Sequence, residues 1–151
     1  MNLGEALLEL KGMRSELVRL MEVRENSFSY EGEKPNEDIK DLSKEIVKLT
    51  LEIRKLKIKI ENTNHTSFID TPDGKMTIAE TIIYIADMRS ELASLEKLRG
   101  KYRNEDSWRE TKPKKYQVEQ KELLQLIRSV EKKKVKMDGF LSSWNWKVEL
   151  K

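Results

Sequence analysis

The sequence predicts a mainly α-helical protein: two duplicated long αα-hairpins forming an antiparallel four-helix coiled-coil bundle, with a small β-hairpin between the halves. Three observations predict it. Residues 39–60 carry an unbroken apolar repeat with spacings of three and four, residues 78–95 restate residues 3–20, and only Pro35, Pro72 and Pro113 interrupt a composition rich in helix formers.

The first helix is expected from Asn2 to about Glu25, with Leu3, Leu7, Leu10, Leu17 and Met21 along its seam and Met13 and Leu20 widening the apolar face. Asn2-Leu3-Gly4-Glu5 fits a capping box at its start. Gly32 and Pro35, in the connection from Ser27 to Pro35, end one helix and precede the next. The second helix, from Asn36 to about Thr63, presents Ile39, Leu42, Ile46, Leu49, Ile53, Leu56 and Ile60 as a coiled-coil seam. At roughly 1.5 Å per residue it is about 40 Å long, so it requires an antiparallel partner of similar length.

Pro72-Asp73-Gly74, between short extended runs in Thr66 to Thr77, signals a β-hairpin. Thr77-Ile78-Ala79-Glu80 then supplies a capping box for the third helix. Met13-Arg14-Ser15-Glu16-Leu17 recurs as Met88-Arg89-Ser90-Glu91-Leu92, a shift of 75. Helix two maps onto helix four with a shift of 81, taking Leu42 to Leu123, Ile46 to Ile127, Leu56 to Met137 and Asn64 to Asn145. One domain, 1–151, follows, with repeat one at 2–65, the β-hairpin connection at 66–76, repeat two at 77–144 and an extended tail at 145–151. The tail, Trp146 to Leu150, is expected to add a strand to the small sheet, and the connection Asn104 to Tyr116 to form an extended arm around Trp108.

Charge and composition narrow the function. The net charge of +3 is the remainder of 30 basic and 27 acidic side chains that alternate along the helices, so no one-signed field favours nucleic acid. Without cysteine there are no disulfides, thiolate metal sites or thiol nucleophiles, and without a secretory leader the expected location is cytoplasmic. The apolar run Thr81 to Ala86 is far shorter than the roughly 20 residues of a membrane span.

Tyr30-Glu31-Gly32-Glu33-Lys34-Pro35, Asn62-Thr63-Asn64, Leu3-Gly4-Glu5-Ala6-Leu7 and Asn145-Trp146-Lys147-Val148-Glu149-Leu150 resemble a septicolysin-like family of small bacterial helical proteins of unknown function. The chain departs from it at Ser142-Ser143-Trp144 and in a more lysine-rich second connection. The resemblance implies a helical fold and brings no catalytic residues. The toxin suggested by the label would need an apolar hairpin or amphipathic strands that this sequence lacks.

Candidate chemistry is sparse. His65, the one histidine, lies near Asp70 and Asp73 and is a weak metal candidate, since a typical zinc site needs more ligands. Asn64 and Asn145 recur at equivalent helix ends, where Asn can stop a helix, and with His65 and Trp146 they form a candidate polar cluster. Arg14 and Arg89 take duplicated seam positions and read as a polar layer fixing register, with Glu52 as a partner for Arg14. The runs Glu131 to Lys136 and Lys112-Pro113-Lys114-Lys115 could touch phosphate, with Trp108 or Tyr116 stacking on a base, but their interleaved acids favour a solvated face. Trp144 and Trp146 read as tail anchors. No nucleophile motif or phosphate-binding glycine loop is present, so neither an enzyme nor a cofactor is expected.

The expected function is a self-associating helical scaffold or protein-interaction protein, a homo-oligomer with a protein partner open. Two alternatives remain: a nucleic-acid-binding module using the lysine-rich second half, and a metal- or small-ligand-binding bundle around His65.

Overall fold

A computed structural model describes residues 1–102 and 115–151. The proposed arm around Trp108 and the Lys112-Pro113-Lys114 run lie outside the described residues. Four helices dominate, α1 (Leu3–Asn26), α2 (Ile39–Thr66), α3 (Ile78–Lys101) and α4 (Gln120–Asn145), with strands β1 (Phe68–Thr71) and β2 (Gly74–Thr77) between α2 and α3. The chain divides into two compact units, one of Met1–Ser67 with Trp144–Lys151, the other of Phe68–Ser143.

In the first unit α1 packs along α2. Asn2 caps α1: its side chain accepts from the Glu5 amide, and its own amide donates to Glu5 Oε2, each at 2.8 Å. Gly32 turns the connection with φ +86°, a conformation favouring glycine. α2 starts three residues later than Asn36, because the Asp38 carboxylate accepts from the amides of Lys40 and Asp41.

α2 faces α1 through the expected stripe, with Ile46, Ile53 and Ile60 buried and Ile39, Leu42, Leu49 and Leu56 half-buried. The α1 seam is rotated from the expected one. Leu3, Ala6, Leu10 and Leu20 are buried and Met13 and Leu17 half-buried, while Leu7, Arg14 and Met21 are exposed. Physical cost explains the choice: a seam through Leu7 and Met21 also passes through Arg14, and desolvating a guanidinium costs more than exposing two apolar side chains. The polar seam layer expected from Arg14 and Arg89 is therefore corrected, since both arginines are exposed.

The second unit follows the same logic. Ile78, Thr81, Ile85, Met88 and Leu95 are buried, each 75 positions after an α1 seam residue. Met137 of α4 packs with Ile85 and Met88; Leu123 and Ile127 pack with Leu95. One α4 seam position is polar: Lys134 stands 81 residues after Ile53, half-buried, with Nζ 2.9 Å from Asp138 Oδ2.

β1 and β2 form the expected antiparallel hairpin, with Phe68 opposite Thr77 and Thr71 opposite Gly74. Gly74, at φ +115°, closes the turn, and Thr77 caps α3 with Glu80. The tail does not extend this two-stranded sheet; its bridge is Glu149 to Asn2. The first amides of a helix have no acceptor within it, and the Val148 carbonyl satisfies that of Leu3.

Candidate functional site

The most polar buried region of the first unit lies where the end of α2, the start of α1 and the tail meet. Thr63 is wholly buried because its hydroxyl is satisfied twice, donating to the Lys59 carbonyl at 2.8 Å and accepting from the Lys151 amide at 2.9 Å. Lys151 Nζ lies 3.0 Å from the Thr66 carbonyl and 3.2 Å from its hydroxyl, placing a cation at the negative end of α2. On the α1 side the Leu3 amide donates to Val148 at 2.8 Å and the Leu150 amide to Met1 at 3.0 Å.

Trp146 lies across Gly4. A Cβ at Gly4 would stand 2.8 Å from Trp146 Cδ2 and 2.9 Å from Cε3, so the indole occupies the space of a side chain. Trp146 remains half-exposed. Gly4 was not among the residues singled out from sequence, although a glycine inside the first turn of a helix otherwise rich in helix formers was a usable signal.

Asn64 is buried, and Asn145 Oδ1 and Ser67 Oγ are buried without hydrogen-bond partners. Asn64 lies in the last turn of α2, Asn145 ends α4 and Trp146 lies on Gly4, whereas the His65 side chain is 68% exposed and faces Glu61, 3.9 Å away. Among the described residues no group of three His, Asp or Glu side chains could hold a metal ion.

A second constellation lies in the second unit. Tyr84 donates to Asp73 Oδ2 at 2.7 Å, and Lys133 Nζ stands 3.0 Å from the same oxygen and 5.3 Å from the centre of the Tyr84 ring. The Tyr84 hydroxyl, and after it the Lys133 ammonium, hold the Asp73 carboxyl below its ordinary range. One carboxylate thus ties the β-turn to α3 and α4. Sequence reading missed this group because its members are 11 and 60 residues from Asp73.

Of the lysine run in α4, Lys133 is held by Asp73 and Lys134 by Asp138, leaving Lys132 and Lys136 exposed. Arg89 Nη2 lies 3.4 Å from Asp138 Oδ1 at the surface. Arg14 is not paired with Glu52, which is itself exposed. Among the described residues no helix is long and apolar enough to cross a membrane.

Residues 12–150 match a family of unknown function (DUF6847). The chain belongs to that family. Its fold is shared with a functionally unknown conserved protein from Corynebacterium diphtheriae, whose crystal structure superposes with a TM-score of 0.83 at 20% identity, covering 100% of this chain and 99% of that one. No curated protein matches the chain. Membership in the family indicates no function.

Proposed function

We propose that the protein is a non-enzymatic helical scaffold that acts in the cytoplasm by self-association, completing antiparallel four-helix coiled-coil packing between hairpins of separate copies. The observation carrying this reading is apolar surface left over once each seam has closed. Leu7 and Leu8 on α1 and Ile82 and Ile83 on α3, related by the shift of 75, are all exposed. Scattered apolar side chains are ordinary on a surface, but duplicated pairs at matching helix positions mark edges suited to burial against another protein. The septicolysin-like resemblance is compatible with this role and adds no chemistry to it.

Sedimentation velocity across the micromolar range tests the reading. A mass above that of one chain, falling on dilution, is expected. A strict monomer throughout the range removes it.

A further inference from the structure

The self-association reading leaves open which surfaces meet, and one pair of helix faces is matched in charge and spacing. Val47, Leu51 and Ile58 stand on α2 at intervals of four and seven, on the side turned away from the Ile46, Ile53 and Ile60 seam. They are 60%, 46% and 55% exposed, too exposed to serve the hairpin's own core. Lys44, Lys48 and Lys55, all exposed, follow one edge of this stripe at intervals of four and seven.

α3 carries the reverse pattern. Glu80, Asp87 and Glu91 are exposed along one side at intervals of seven and four, beside Ile83, which is 60% exposed. Two shallow depressions flank Tyr84 and Asp87. One, of about 310 Å³, reaches Met76 and Ile83; the other, of about 420 Å³, reaches Met88 and Val130. The cations in their walls are already engaged, Lys133 by Asp73 and Lys75 above the Phe68 ring.

Resting on the scaffold reading, we infer that α2 of one copy docks antiparallel on α3 of a second copy. Reversed spacing is what an antiparallel pair requires. With Lys55 opposite Glu80, Lys48 falls opposite Asp87 and Lys44 opposite Glu91. The same register sets Leu51 beside Ile83, Val47 over Ala86 and Ser90, and Ile58 over Ala79. In antiparallel pairs, flanking positions on the same side of the two apolar stripes meet each other, which is where both charge rows lie. The apolar contacts supply affinity, and the charges set register and orientation.

Sedimentation velocity on two charge-reversed chains, Lys44→Glu with Lys48→Glu and Asp87→Lys with Glu91→Lys, is the test. Each alone should associate about tenfold more weakly than wild type or worse, and an equimolar mixture should regain wild-type association. The neutral pair Lys44→Gln with Lys48→Gln should fall between, which keeps the test decisive if a reversed chain folds poorly. Wild-type oligomers unaffected by either the reversed or the neutral pair would overturn the α2–α3 docking alone. A wild-type protein that stays monomeric would overturn the scaffold reading beneath it.

Discussion

Replacing Gly4 with alanine tests the geometry of the tail. At an open helical position the exchange helps: Gly12 has nothing within 4 Å of its would-be Cβ, so Gly12→Ala should stabilise by about 0.5–1 kcal/mol through the reduced entropy of the unfolded chain. At Gly4 the new methyl would stand 2.8 Å from the indole, against the 3.4 Å at which ordinary contact begins. Trp146 must then move, and the tail hydrogen bonds beyond it go with it: Leu3 to Val148, Leu150 to Met1 and Lys151 to Thr63. At roughly 0.5–1.5 kcal/mol for each bond, offset by the alanine gain, Gly4→Ala should lose about 0.5–4 kcal/mol. Urea unfolding followed by far-UV circular dichroism gives the stability. Amide exchange at Leu3, Leu150 and Lys151 reports whether the tail has lifted. A Gly4→Ala protein stabilised as much as Gly12→Ala, with those amides still protected, would refute the stacking argument.

Other expectations concern the two hairpins. Met137→Ala empties a site that is 1% exposed among Ile85 and Met88 and should cost about 2–5 kcal/mol by urea titration. Arg14→Ala should change stability by less than about 0.5 kcal/mol, because the guanidinium is outside the seam; a larger loss in the same titration would restore the polar-layer reading. The depressed carboxyl of Asp73 gives a sign for pH: the carboxylate contributes stability above the ordinary carboxyl range, near pH 4, and that contribution is lost as pH falls through its lower folded-state value. Thermal melts of Asp73→Asn should therefore show a lower midpoint than wild type at neutral pH, with the difference closing in strong acid.

How far the chain was legible depended on whether each signal was local. Periodicity marked α2 from Ile39 to Ile60, capping boxes marked the starts of α1 and α3, and Pro72-Asp73-Gly74 marked the hairpin. These rest on hydrogen bonds and apolar spacing within a few residues. In α1 the same spacing allowed two registers, one through Leu7, Arg14 and Met21 and one through Ala6, Met13 and Leu20. Local pattern does not weigh a buried charge against an exposed leucine.

The sequence by itself determined four helices, a turn between two halves and the spacing by which the halves restate one another, because helix propensity and apolar period act along the chain. Only the tertiary structure decided which α1 face closed the seam, that the tail capped α1 rather than joining the sheet, and that Asp73, Tyr84 and Lys133 meet. Those outcomes depend on contacts between residues distant in sequence, where competing burial costs are settled by the partner that happens to be near.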